Sequence, residues 1–281
     1  MEYKLVSLHI KPLLLKFQLM SKKINFEMYF RRFLKISPLS VAVWRAVEAG
    51  HLSKYVLKKP VLDLGCGFGE FMRGFTNDKI EVGVDINAKD LFSASKTNKY
   101  KNLVLADARD LPFPDNTFNT IVSISTFEHI ENPKEIFKEC FRVLKPKGIL
   151  IATIETEKVD KNSFYRPLLV KAGFKKLSNF LEKKYNSFFS RHIIMEGKKW
   201  EKTAVDSGFK IQRADYIISP AVVKLYDFFI ITSWPSQILK LFFGKRIVIR
   251  PKFIENILVK YLLKYLKDEK LGTNLLLVAK K

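Results

Sequence analysis

Residues 61–71 constrain the fold of this chain more than any other segment. An apolar run ends in a cluster of glycines, with the sequence Val61-Leu62-Asp63-Leu64-Gly65-Cys66-Gly67-Phe68-Gly69-Glu70-Phe71. A nearly continuous apolar run is typical of a strand that is buried on both faces of a parallel sheet. Glycines allow the chain to turn sharply and to approach a ligand that any Cβ atom would obstruct. The segment therefore predicts a buried strand that leads into a ligand-binding loop.

Short apolar runs and helical patterns alternate from about residue 60 to residue 155. The predicted strands are Pro60–Leu64, Ile80–Val84, Leu103–Ala106, Thr120–Ser125 and Ile149–Ile154, with Phe209–Ile218 and Asn274–Ala279 following nearer the C-terminus. Helices are predicted over Ser40–Leu57, Asn132–Leu144 and Gly197–Ser207, and the first should pack over the edge of the sheet that carries the ligand-binding loop. This alternation predicts an α/β fold with a doubly wound parallel sheet.

The pattern divides the chain into four regions. We predict a helical N-terminal segment (1–58), an α/β core (59–156), a basic and aromatic lid or insertion (157–195) and the end of the fold (196–281), which contains a helical excursion at 219–272. Its segment Phe253–Lys267 has the composition of an interfacial amphipathic helix. The alternatives for this segment are a helix that packs on its own domain and a helix that forms a dimer interface. Charges interrupt every long apolar stretch, so neither a signal peptide nor a spanning helix is predicted.

The positive charge of the chain is concentrated outside the predicted core. The net charge is +22, with a balance of +9 over residues 1–60, −2 over 61–156 and +15 over 157–281. Such flanks attract anionic partners, either nucleic acid or membrane headgroups, although a lysine-rich genome could also produce the excess. The two cysteines, Cys66 and Cys140, cannot form a disulfide framework and suit a reducing cytoplasm.

The spacing of the glycines separates two kinds of cofactor loop. A dinucleotide-binding loop places glycines at its first, third and sixth positions, but the sixth position here is Glu70. The observed glycines stand at the first, third and fifth positions, and Asp63 precedes the first by two residues. An acidic neighbour suits a cofactor with a sulfonium and an amino group better than one with a pyrophosphate.

Three further motifs follow in order. Asp85 ends the second strand, where a carboxylate can hold a ribose diol, and Asp107 and Ala108 follow the third. The fourth strand ends in Ser125-Thr126-Phe127-Glu128-His129, and Arg142-Val143-Leu144-Lys145-Pro146-Lys147-Gly148 comes later. Together the motifs resemble class I S-adenosylmethionine-dependent methyltransferases, in particular the broad family of small-molecule and ubiquinone-biosynthesis enzymes.

The resemblance implies a Rossmann-like, seven-stranded sheet whose last strand is antiparallel, with S-adenosylmethionine as the cofactor. It implies that the cofactor is bound by Asp63, Gly65, Cys66, Gly67, Gly69, Asp85, Ile86, Asp107, Ala108 and Ser125.

Glu128 and His129 are the catalytic candidates. His129 could remove a proton from an attacking group or help to hold the methionine end of the cofactor. Alternatively, both residues only cap and orient the following helix. Related quinone-pathway enzymes carry Glu-x-x-Glu-His here, but Ser125 replaces the first Glu, so no metal site is predicted. His192 and Tyr165 are candidate contacts to the methyl acceptor.

Three functions remain open on the sequence. The leading interpretation is methylation of an O, N or C atom on a small or lipid-linked acceptor, by a cytoplasmic enzyme in peripheral contact with the inner face of the membrane. A transfer-RNA methyltransferase that uses the basic flanks is the second. A non-catalytic S-adenosylmethionine-binding protein is the third, and the oligomeric state is left open.

Overall fold

Runs of β-branched and leucine residues assemble into one seven-stranded sheet in the part of the chain that the computed structural model describes, residues 24–188, 192–230, 250–267 and 272–281. The strand order is β3-β2-β1-β4-β5-β7-β6, and β7 is antiparallel to both neighbours. The strands are β1 Val61–Leu64, β2 Ile80–Asp85, β3 Tyr100–Leu105, β4 Phe118–Ile124, β5 Leu144–Glu155, β6 Lys210–Tyr216 and β7 Asn274–Lys280. This order confirms the predicted Rossmann-like fold.

Helices cover both faces of the sheet. In chain order they are α1 Phe26–Leu34, α2 Leu39–Leu52, α3 Glu70–Phe75, α4 Ala88–Ser95, α5 Pro133–Val143, α6 Lys158–Lys161, α7 Tyr165–Lys171, α8 Lys175–Phe188, α9 Gly197–Asp206, α10 (220–230) and α11 Lys252–Leu262. Short 3-10 helices lie at Phe127–His129 and Leu263–Tyr265.

Two apolar cores form because neighbouring strand residues point to opposite faces. Val61 belongs to a core with residues of α1 to α4 and α11. Leu62, the next residue, belongs to a second core in which the fully buried Trp200 of α9 packs against Phe127 and Phe137. The sheet is therefore buried on both sides, as the apolar strands predict.

Several predicted boundaries need correction. β3 begins at Tyr100 and ends at Leu105, because its pairing with β2 runs from Ile80–Tyr100 to Asp85–Leu105. β5 begins at Leu144, because the Lys145–Gly148 segment continues toward the C-terminal strand and Gly148 accepts a hydrogen bond from the Lys281 amide. α2 ends at Leu52, five residues before its predicted end.

Parts of three predictions lie outside the described residues. They are the start of the N-terminal helical segment (1–23) and parts of the lid (189–191) and of the excursion (231–249 and 268–271). Within the described ranges, no helix has the length and apolarity needed to cross a membrane. The division into four regions stays a prediction.

Candidate cofactor and active site

The glycine loop lies at the carboxyl end of β1 and forms an open cradle. Gly65, Gly67 and Gly69 all have positive φ angles, of 75°, 51° and 75°. A Cβ atom on Gly65 would lie 2.2 Å from the Thr126 side chain, so this position requires glycine for a close approach to the end of β4. A Cβ atom on Gly67 would meet no protein atom within 4 Å. The loop thus leaves open space at the position where a ligand is predicted.

Asp85, the last residue of β2, organises this loop. One of its carboxylate oxygens accepts a hydrogen bond from the Gly67 amide at 2.7 Å, and the other accepts one from the Asn87 amide at 2.9 Å. Ile86 follows with 69% of its surface exposed, an unusual state for an isoleucine beside a polar loop. A carboxylate and an exposed apolar side chain thus lie next to each other at the end of β2.

Asp63 places a carboxyl group in the interior beneath the loop. Only 4% of its surface is exposed, and it accepts a hydrogen bond from the Tyr100 hydroxyl at 2.6 Å. Burial raises the pKa of Asp63 to about 7, with a contribution from the Asp85 carboxylate, while the Tyr100 hydrogen bond and Arg45 act in the opposite direction. Such a group gains most from a cationic ligand, because a nearby positive charge favours its ionised form.

Cys66 and the third strand end contribute in different ways. Burial raises the pKa of the Cys66 thiol, so the side chain stays protonated and acts as a small apolar wall of the loop.

Ala108 is buried, and Asp107 is partly exposed beside it. The Arg109 side chain and amide donate hydrogen bonds to Asp107, and this pairing lowers the pKa of Asp107. Asp107 is thus held as a carboxylate at the end of β3.

A buried polar network that we did not predict from the sequence lies at the carboxyl ends of β4 and β5. The fully buried Glu48 of α2 accepts hydrogen bonds from Ser125 at 2.9 Å, from Thr153 at 2.8 Å and from Arg45 at 2.7 Å. Arg45 also lies 3.2 Å from the Ser125 hydroxyl and over the Phe71 ring. Burial alone would lower the pKa of Arg45, but the adjoining Glu48 carboxylate outweighs it and raises that pKa.

This network changes the interpretation of Ser125. Ser125 has a left-handed backbone with φ of 49°, a conformation that non-glycine residues adopt at an energetic cost. Its hydroxyl group is engaged by Glu48 and Arg45. The Arg45 guanidinium keeps donors beyond those two partners and could hold the carboxylate of an amino-acid moiety. A charged pair with spacing of three in an otherwise apolar helix is the sequence signal that could have revealed it.

Glu128 and His129 lie on the 3-10 helix that follows β4. Glu128 is fully buried, and its carboxylate accepts a hydrogen bond from the Glu155 amide at 3.2 Å. Its carbonyl accepts the amides of His192 and Ile193 at 3.1 and 3.0 Å. The structure therefore brings the backbone of His192 to the fourth strand end, where Glu128 binds backbone amides through its carboxylate and its carbonyl. His129 is half-buried at the same edge.

The catalytic roles of Glu128 and His129 stay predictions. Tyr165 lies on α7 with its ring against Phe164, and no hydrogen bond or ring contact joins it to the glycine loop in the described part of the chain. In the same part, no three His, Cys, Asp or Glu side chains cluster so as to hold a metal ion.

The donor set fits S-adenosylmethionine on two observations. Asp63 offers a buried carboxyl group that a cation would ionise, and Gly67 offers space that a Cβ atom would enter. In such a site Asp85 and Ile86 would face the nucleoside, and Asp63 and Arg45 would face the charged methionine end.

Residues 62–152 match the family model described as a methyltransferase domain. An uncharacterised protein from Methanocaldococcus jannaschii is 33% identical over 141 residues, which cover 49% of this chain and 64% of that protein. The ubiquinone/menaquinone biosynthesis C-methyltransferase of Neisseria meningitidis serogroup C is 32% identical over 136 residues, 45% of this chain and 52% of that enzyme. The aligned regions thus span between about half and two thirds of the relatives' length.

A SAM-dependent methyltransferase from Thermotoga maritima has a similar structure, with a TM-score of 0.50 and 22% identity, over 65% of this chain and 79% of that one. At this identity the likeness shows the fold alone. The family model identifies residues 62–152 as a methyltransferase domain, and the fold around it is that of the class I S-adenosylmethionine-dependent methyltransferases, whose cofactor is S-adenosylmethionine.

Proposed function

We propose that the chain transfers the methyl group of S-adenosylmethionine to an O, N or C atom of a small or lipid-linked acceptor at a membrane surface. The observation that carries the methyl-transfer part is the buried Asp63 carboxyl group beside the open Gly67 cradle. It supports a cationic nucleoside cofactor at the ends of β1 and β2.

The bound cofactor supplies an activated methyl group, so the protein has to position the acceptor and receive a proton. His129 is half-buried at the end of β4 and is the candidate proton acceptor. Glu128 supports this edge by binding the backbone at Glu155 and His192. Arg45 and Glu48 fix Ser125 and Thr153 beside it.

An acceptor can approach through the region that follows β5. A cavity of about 440 Å³ lies between α6 and the two helices after it, and it is lined by Glu157, Asp160, Lys161, Arg166, Pro167, Val170 and Glu182. Its wall combines charged groups with apolar ones. This lining supports an acceptor with a polar group on an apolar body, as a lipid-linked molecule has.

The described parts of the 219–272 excursion support the membrane contact. Phe253, Ile257 and Tyr261 follow one another at a spacing of four residues on α11, and they are exposed to 65%, 50% and 59%. Lys260 lies over the Tyr261 ring at 5.7 Å. The apolar residues of α11 are therefore divided between two environments, because Val259 and Leu262 are buried. The exposed half combines aromatic, aliphatic and lysine side chains, as interfacial helices do.

Transfer of labelled methyl groups to membrane extracts tests the proposal. The protein is incubated with methyl-tritiated S-adenosylmethionine and washed membranes, and the label is followed into the solvent-extractable fraction. We expect incorporation there, and we expect Asp85→Ala to lower it when the cofactor concentration is below the Kd of the variant. Label that appears in transfer RNA instead would favour the RNA enzyme. Cofactor binding without transfer to any fraction would favour a non-catalytic protein.

A further inference from the structure

Helices α7 and α8 pack on each other, but their large apolar side chains are exposed while a small polar side chain is buried. We call residues 165–184 the basic hairpin. None of the residues of α7 is buried. On α8 the small polar Ser178 is 2% exposed, although large apolar side chains surround it in the sequence. Exposures of 45–58% are found for Leu168, Val170, Phe174, Leu177, Phe180 and Leu181. A hairpin that only covered its own domain would turn these side chains inward.

The basic hairpin is held in this arrangement by specific contacts. Gly173 makes the turn with a φ of 85°, and the Phe174 amide donates to the Leu169 carbonyl at 2.8 Å. Arg166 on α7 and Glu182 on α8 form an ion pair at 2.6 Å. The exposed side chains are therefore presented by two helices tied together at both ends.

The base of the hairpin is attached to α10. The Phe164 amide donates a hydrogen bond to the carboxylate of Asp227 at 2.9 Å, and the rings of Phe164 and Phe228 lie 5.7 Å apart. Phe228 is itself 53% exposed. The apolar surface of the hairpin is thus adjacent at its base to an exposed aromatic residue of the excursion.

The positive charge of the hairpin indicates an anionic partner. It contains one acidic residue, Glu182, and six basic ones, Arg166, Lys171, Lys175, Lys176, Lys183 and Lys184. The cores of protein interfaces are depleted in lysine, whereas lysines around exposed aromatic and aliphatic side chains are typical of surfaces that bind anionic lipids. Lys184 lies over the Phe180 ring at 5.7 Å, so its charge and the apolar surface are contiguous.

We infer that the basic hairpin docks on an anionic lipid bilayer, with Phe174 and Phe180 entering the boundary between headgroups and acyl chains. This inference deepens the proposed function, on which it rests, by adding a second membrane-binding surface to the one on the 219–272 excursion. Docking there would place the cavity lined by Arg166, Val170 and Glu182 next to the bilayer.

Co-flotation of the full chain with vesicles of phosphatidylglycerol and phosphatidylcholine tests the inference. The hairpin variant is Phe174→Ser/Phe180→Ser, and the excursion variant is Phe253→Ser/Ile257→Ser. Phe92→Ser is the matched control, because Phe92 is 64% exposed on α4 and outside both surfaces. Calorimetric binding of S-adenosylmethionine shows that each variant is folded.

We expect the hairpin variant to lose at least about tenfold in partition coefficient, which corresponds to about 1.4 kcal/mol, while Phe92→Ser binds as the wild type does. Binding should also fall when phosphatidylcholine replaces phosphatidylglycerol. If the hairpin variant binds the vesicles as tightly as the wild type does, the inference is overturned. The proposed function still stands in that case if the excursion variant fails to bind. Absence of wild-type binding would overturn both membrane assignments. If the wild type is a dimer that does not bind lipid, and the hairpin variant is a monomer, the surface binds a second copy of the chain instead.

Discussion

Replacement of Asp63 by asparagine separates two effects of the buried carboxyl group, the folding stability that it loses on ionisation and the cofactor binding that it supports. The pKa of Asp63 is raised from 3.8 to about 7, so the folded protein holds a proton that the unfolded chain releases between these values. Stability that is present below pH 4 is therefore lost as the pH rises toward 7. A difference of about three pKa units at about 1.4 kcal/mol each makes this loss about 4 kcal/mol.

Asparagine can still accept the hydrogen bond that the Tyr100 hydroxyl donates to Asp63. We therefore expect Asp63→Asn to stabilise the cofactor-free protein at pH 8 by up to about 4 kcal/mol and to change its stability little at pH 4. Urea denaturation followed by circular dichroism at several pH values measures this difference. Tyr100→Phe is the companion variant, because removing a group that favours the carboxylate should extend the pH-dependent loss to higher pH.

Asp63→Asn should also weaken the binding of S-adenosylmethionine. A cationic ligand favours the ionised carboxyl group, so S-adenosylmethionine should bind the wild type more tightly at pH 8 than at pH 6 and release a proton at pH 6. Calorimetry in two buffers of different ionisation enthalpy counts that proton. Asp63→Asn should remove both the proton release and the pH dependence of affinity. An unchanged pH dependence of stability and affinity in Asp63→Asn would refute this account of the site.

Two further substitutions test the surrounding site. Asp85→Ala should weaken S-adenosylmethionine binding by about 2 kcal/mol, or roughly 30-fold in Kd, whereas Asp115→Ala on the exposed surface should leave Kd unchanged in the same titration. Arg45→Met should lower the free energy of unfolding by about 2 kcal/mol, because it leaves the buried Glu48 carboxylate without its cation, and adding Glu48→Gln should restore part of that loss in urea denaturation. Equal stability of the single and double variants would contradict the proposed pairing.

The sheet could be predicted from the sequence because its central strands are nearly continuous apolar runs. β3 is less accurately predicted, since it is an edge strand whose Lys101 and Asn102 are exposed and interrupt the apolar pattern. Only pairing with β2 defines where it begins. Local motifs also indicated the glycine loop, Asp85 and Asp107, because each of them lies at the end of a strand or within two residues after it.

Contacts between distant segments could not be predicted in the same way. Glu48 lies 77 residues from Ser125 and 105 from Thr153. The sequence predicts that its helix packs at this edge of the sheet, and the Arg45–Glu48 spacing indicates a polar contact, but no local pattern indicates which residues of the strand ends are the partners. The 165–184 hairpin shows a similar limit. The sequence predicts only a lid or insertion there, and which face of its helices packs inward depends on neighbours that the segment itself does not encode. Ser178 and Phe180 thus have burial opposite to their hydropathy.

The central claim, that the glycine loop after β1 is the S-adenosylmethionine site, is tested most directly by paired glycine substitutions. Gly67 and Gly173 both have positive φ, and a Cβ atom on either would meet no protein atom within 4 Å. Gly67→Ala and Gly173→Ala should therefore carry similar backbone strain of about 1 kcal/mol. In calorimetric titrations with S-adenosylmethionine, we predict one site per chain, at least tenfold weaker binding for Gly67→Ala and wild-type affinity for Gly173→Ala. Equal affinities for the two variants, or no binding by the wild type, would contradict the assignment.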